Sequence, residues 1–82
     1  MSIPPGLVLL KRPECGLCEE MLAELERIGA RMPLPALTLL DVDSDPQLAR
    51  RHGLDIPVLL LDGSVVCRHR LDEAELRRLL RV

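Results

Sequence analysis

Two cysteines are spaced for chemistry in the stretch KRPECGLCEEM, at Cys15 and Cys18. A Cys-x-x-Cys pair can cycle between dithiol and disulfide, supply half of a zinc site, or amount to two small apolar residues near a helix start. A structural zinc site asks for about four protein ligands. The other candidates, Cys67, His52 and His69, show neither a second Cys-x-x-Cys nor a His-x-x-x-His spacing. Beside a β-α-β pattern, in a compartment that keeps thiols reduced, the pair favours redox chemistry over stapling. A metal-binding module using the same cysteines is the alternative, and a scaffold for protein contacts with idle cysteines is the third reading.

Elements that would hold the pair can be read along the chain. GLVLLK (6–11) is a short apolar run after a Pro/Gly signal and reads as a buried strand. From Cys15 the period changes to helical, with Leu17, Met21, Leu25 and Ile28 as the apolar face and Leu22 beside it. Acidic residues early and arginines late suit the helix dipole, and Gly29 marks the expected stop. A second strand is expected over about 36–42. DSDPQLARRHGL then reads as a short helix capped by Asp45, with Pro46 at its first position and Gly53 at its end. The next segment has hairpin form, with strands near 58–61 and 65–68 and an Asp62-Gly63 turn. Asp72 and Glu75 form a capping box for a last helix, Leu71 and Leu76 fall at staple positions, and Leu76, Leu79 and Leu80 supply its buried face. The order is β-α-β-α-β-β-α, an α/β single domain over 1–82 with a four-stranded mixed sheet flanked by helices.

Composition narrows the function classes. The 82 residues allow one modest core, and aromatic side chains are absent altogether. Single-strand nucleic-acid binders use aromatic stacking platforms, and phosphate binding needs a basic face. Neither is present in a chain of net charge -2, so nucleic acid is not an expected partner. The apolar run at Leu7–Leu10 is too short for a secretory signal and lacks a basic flank. No stretch is long enough to span a membrane. The expected location is the cytoplasm.

The architecture assigns different roles to the two cysteines. Cys15 falls between the first strand and the first helix, at the carboxyl edge of the sheet, where ligands and chemistry gather in open α/β folds. Free N–H groups of the first helical turn and the positive dipole end favour a thiolate there, and such positions lower a cysteine pKa from about 8.5 to roughly 3.5–7.5. The thiolate is the attacking species in thiol–disulfide exchange. Cys15 is therefore expected to attack. Cys18, one turn further in, is expected to resolve the mixed disulfide.

With CGLC after the first strand, IPV opening the third, and the β-α-β-α-β-β-α order over nearly the whole chain, the sequence resembles the thioredoxin-like superfamily. RPECGLCEEM together with HRLDEAELRRLL resembles its small bacterial glutaredoxin-like proteins. The resemblance implies a dithiol thiol–disulfide oxidoreductase or redox carrier. It also implies that Pro57 is a cis-proline facing the cysteines, and that Ile56 offers its backbone N–H and C=O to an extended substrate. Arg12, three residues before Cys15, matches a basic position that contacts a glutathione carboxylate in the family.

There are departures. Cys-Gly-Leu-Cys lacks the proline of the usual glutaredoxin and thioredoxin motifs, and the family's Gly-Gly pair before the last helix is missing. No bound cofactor is expected, because the sulfurs carry the electrons; glutathione is a candidate co-substrate. The expected partners are a disulfide-containing protein or a glutathione mixed disulfide, met by a monomer. Cys67 reads as a small core residue and His52 as structural, its imidazolium at the favourable end of a helix. His69 could edge the site or belong to a solvated RHR connector.

Overall fold

Four leucines and valines in a row followed by a lysine make β1 (Leu7–Lys11) a strand buried on both faces, and its first four residues are fully inaccessible. Such a strand belongs in the middle of a sheet covered on both sides. The computed structural model describes residues 3–81 and places it there. Met1, Ser2 and Val82, the ends of the terminal segments read above, lie outside the described residues. The remaining elements are α1 (Gly16–Arg31), β2 (Leu37–Asp41), a 3-10 turn (Val42–Ser44), α2 (Pro46–His52), β3 (Val58–Leu61), β4 (Ser64–Arg68) and α3 (Glu73–Leu80). The strand order is β2-β1-β3-β4. β1 pairs parallel with β2 and antiparallel with β3, and β3 pairs antiparallel with β4. The expected order and mixed sheet are both found.

Strand alternation divides the core in two. Leu7, Leu9 and Leu59 point to one face, where Met21 and Leu25 of α1 and Leu76 of α3 cover them. Val8, Leu10, Val58 and Leu60 point to the other, where Leu48 of α2 and Val42 close the layer. Between them lies the sheet, so the molecule is a three-layer α/β sandwich. β4 accommodates one extra residue at Val66, where the pairing steps from Leu59↔Cys67 to Leu60↔Val65.

Several expectations are corrected. Gly29 does not stop α1, which runs on to Arg31. Glycine only weakens a helix interior, whereas Pro33 forces Met32 into an extended conformation (φ −146°, ψ 150°) and ends it there. The buried face of α1 is Cys18, Met21, Leu25 and Ile28, so Leu17 falls beside it and stays exposed. Leu79 is likewise exposed, while Leu76 is buried and Leu80 packs at the core's margin. Asp72 caps α3 by accepting the Glu75 N–H at 3.0 Å, but Glu75 turns its carboxylate to Arg78 instead of closing the box. Asp45 caps α2 as expected, accepting the Gln47 N–H at 2.7 Å.

Candidate functional site

β1 ends at Lys11 and α1 starts at Gly16, and the loop between them carries Arg12 and Cys15. Glu14 adopts a left-handed conformation (φ 59°), which turns the chain so that Cys15 enters as the N-cap of α1. A residue there keeps extended backbone angles while its side chain faces the free N–H groups of the first turn. The Cys15 sulfur does this, accepting the Cys18 N–H at 3.1 Å. Cys15 is partly exposed; Cys18 is 1% exposed. The two are joined in a disulfide with their Cα atoms 5.2 Å apart.

The Ile56–Pro57 bond is cis, as the resemblance implies. Pro57 is buried and its carbonyl accepts the His69 N–H at 2.8 Å. Asp55 donates its N–H to the His52 carbonyl at 2.9 Å. Between these anchors Ile56 is half-buried, and its backbone N–H and C=O have no hydrogen-bond partner among the described residues. His69 itself has φ 66° and an exposed imidazole 3.7 Å from Asp55 Oδ1. It also lines a narrow groove with Leu17, Glu20 and Arg70, so the RHR connector reaches the side of the Cys-x-x-Cys turn.

Arg12 is placed differently from a free docking charge. Its Nε and Nη2 fork onto Asp43, at 2.7 and 3.1 Å, and Nη1 donates to the Gly53 carbonyl at 2.8 Å. The hydrogen bonds with Arg12 hold the Asp43 carboxyl below the usual carboxylate range and raise Arg12 in turn. Asp43 was not singled out in the sequence. A signal existed, because parallel pairing of β1 and β2 places the residues just beyond both strand ends at one edge of the sheet.

The other candidates lie apart. Cys67 is a half-buried margin residue of the core under α1 and α3, where burial pushes its thiol up. His52 is buried, and its Nδ1 has no partner among the described residues. Desolvation, then the Arg51 and Arg68 charges, lower its pKa. The imidazolium expected at that helix end is therefore disfavoured, because desolvation and two arginines oppose the dipole. Among the described residues no three His, Cys, Asp or Glu side chains converge as a metal site. No helix there is long and apolar enough to cross a membrane.

A family model described as Glutaredoxin-like domain (DUF836) matches residues 6–81. The chain belongs to that family. Protein Ne2328 from Nitrosomonas europaea, solved by NMR, is similar at 27% identity, covering 96% of this chain and 95% of its own, with a TM-score of 0.82. Protein XcR50 from X. campestris is similar at 30% identity, covering 92% of this chain and 95% of its own, with a TM-score of 0.70. The holo form of glutaredoxin C1 from Populus tremula x tremuloides shares the fold at 15% identity, covering 93% of this chain and 76% of its own, with a TM-score of 0.61. No curated protein matches. The fold is that of the thioredoxin-like superfamily. The glutaredoxin-like domain and its Cys15-x-x-Cys18 pair support a thioredoxin-like redox role.

Proposed function

We propose that the protein is a dithiol thiol–disulfide oxidoreductase in which Cys15 attacks and Cys18 resolves. The observation that carries this reading is the inequality of the two sulfurs. Cys15 is partly open to solvent and receives an N–H from the first turn of α1, while Cys18 is buried one turn behind it. An N–H directed at a sulfur favours its charged form, and the thiolate is the nucleophile.

In the reductive direction, the Cys15 thiolate attacks one sulfur of a partner disulfide. A Cys15–partner bond forms, the partner's S–S bond breaks, and the departing thiolate takes up a proton. Cys18 then loses its proton and attacks the Cys15 sulfur, releasing the second partner thiol. Two electrons pass to the partner together with two protons, one lost from Cys18 and one taken from solvent, and the protein is left as the Cys15–Cys18 disulfide. A thiol donor, glutathione or a reductase dithiol, returns it to the starting state. Ile56, whose N–H and C=O beside the cis-proline are unpaired among the described residues, would hold an extended segment of the partner by main-chain bonds. The partner is a disulfide-containing protein or a glutathione mixed disulfide, and no bound cofactor takes part.

The test is trapping. Cys18→Ser should accumulate a mixed disulfide on Cys15 when offered an oxidised peptide, detected as an added mass on that residue. Cys15→Ser should accumulate none. The reverse pattern would overturn the order of attack.

A further inference from the structure

Arg12 has the charge and the sequence position of an anion-docking residue, yet its geometry assigns it other work. The guanidinium lies between two separate pieces of chain. Its fork grips Asp43, 31 positions away, and its remaining arm donates to the carbonyl of Gly53, 41 positions away. Planar bidentate pairing of this kind fixes direction as well as distance, which a lysine cannot reproduce.

Gly53 is shaped for that contact. Its φ of −57° is open to any residue, so backbone freedom does not explain the glycine. A Cβ there would come within 2.9 Å of Arg12 Nη2 and closer still to the Ala49 carbonyl. The missing side chain keeps the Ala49 carbonyl clear and leaves room for the guanidinium beside the backbone.

What Arg12 holds is the start of the segment that ends in the cis-proline. Gly53 donates to Ala49 at 2.9 Å and accepts from Arg12, and Asp55 donates to His52 at 2.9 Å. The far end is fixed by the His69 N–H on the Pro57 carbonyl. Ile56 stands between these anchors with its polar backbone groups unpaired among the described residues. Arg12 itself stands three residues before Cys15. One side chain therefore ties the loop of the nucleophile to the segment whose backbone would align a substrate.

We propose that Arg12, Asp43 and Gly53 form a clasp that sets the spacing between Cys15 and the Ile56 backbone, making Arg12 a positioning residue and leaving an extended protein disulfide, not an anionic thiol such as glutathione, as the preferred substrate. This rests on the thiol–disulfide reading above. With Asp43 already paired to Arg12 through both carboxylate oxygens, a substrate carboxylate has to displace that pairing.

The test compares reduced wild type with Arg12→Ala, Arg12→Lys, Asp43→Ala and the Arg12→Ala/Asp43→Ala double variant. Three probes release the same thiopyridine: an extended peptide with one cysteine in disulfide to thiopyridine, the glutathione–thiopyridine disulfide, and dithiodipyridine. The clasp predicts that each single variant lowers the second-order rate constant of thiopyridine release from the peptide by roughly tenfold to a hundredfold, as for a misplaced reacting partner. The loss for dithiodipyridine should be much smaller, because that probe needs no backbone alignment. The double variant should be no worse than either single, Arg12→Lys should not rescue, and the Cys15–Cys18 potential should stay where it was. Urea midpoints by circular dichroism accompany each variant, and Asp43→Asn replaces Asp43→Ala if the alanine variant loses its fold.

Two results would overturn the proposal. One is a loss confined to the glutathione probe in the Arg12 variants, with Asp43→Ala unchanged or faster, which makes Arg12 an anion-docking residue. The other is an equal loss for all probes, which assigns the pair to the reactivity of Cys15 itself. If reduced wild type reacts with none of the probes, the thiol–disulfide reading fails first, and the clasp loses its role with it.

Discussion

The backbone N–H of Cys18 donates to the sulfur of Cys15 at 3.1 Å, across the first turn of α1. The same two residues differ in access: Cys15 is partly exposed and Cys18 is buried on the inward face of α1. In the reduced protein this predicts selective alkylation. A short pulse of iodoacetamide should modify Cys15 first and Cys67 slowly, because burial pushes that thiol up and holds it protonated. Cys18 should be modified last. Peptide mass spectrometry after acid quenching gives the order, and equal rates at Cys15 and Cys18 would contradict the assigned roles.

Gly53→Ala should destabilise the fold by about 1–3 kcal/mol, the usual cost of forcing extra atoms into an occupied space. The backbone angle is ordinary, so the cost comes from the Ala49 carbonyl and the Arg12 guanidinium that the new Cβ would meet. Urea denaturation followed by far-UV circular dichroism measures it; tryptophan and tyrosine are absent. A neutral substitution would show that the end of α2 relaxes freely.

Gly63→Ala tests a different cause. Asp62 and Gly63 both have positive φ, at 49° and 87°, the pattern of a tight hairpin turn between β3 and β4. A Cβ at Gly63 meets nothing within 4 Å. The expected loss is therefore purely conformational, about 1 kcal/mol, and Gly63→Asn should recover part of it. Asp62 adds a tie of its own, accepting the Gly6 N–H at 2.8 Å and donating to the Gly6 carbonyl at 3.0 Å.

His52 predicts a pH dependence. Its folded pKa lies below the ordinary 6.5, chiefly through desolvation, with Arg51 and Arg68 acting the same way. Below that ordinary value the unfolded chain binds a proton that the folded protein resists. The histidine's contribution is thus intact above 6.5 and declines as the pH falls through that value towards its folded pKa. His52→Leu should flatten the fall in the urea midpoint between about pH 7.5 and about pH 5.5. A steeper fall in the variant would mean that the imidazolium stabilises the fold after all.

Features set by neighbours in sequence were legible before the structure. The Asp45 and Asp72 caps, the Asp62-Gly63 turn and the Cys15–Cys18 placement between strand and helix each depend on a few adjacent residues, and each is found. The end of α1 is not legible at Gly29, because glycine only weakens a helix and Pro33, two residues beyond Arg31, decides the matter. For His52, read as structural with its imidazolium at a favourable helix end, the adjacent residues do not show the burial that lowers its pKa instead. Its spacing of four from the buried Leu48 puts it on the inward face of α2. The partners of Arg12 were out of reach for a different reason: Asp43 and Gly53 meet it only after two elements have packed. Local pattern marks Arg12 as a charge near a cysteine, and only tertiary geometry shows that the charge is taken.

The central claim is that Cys15 and Cys18 form a reversible redox couple. The direct measurement is a titration of the purified protein in buffers of reduced and oxidised glutathione, with thiols labelled at each point and the bond located by mass spectrometry. The account predicts a two-electron transition that converts the pair between dithiol and a Cys15–Cys18 disulfide, while Cys67 stays reduced throughout. Its midpoint should fall within the range of roughly −270 to −120 mV spanned by thiol–disulfide oxidoreductases. A pair that never closes, or one that closes only after a tightly held metal has been stripped, would contradict it.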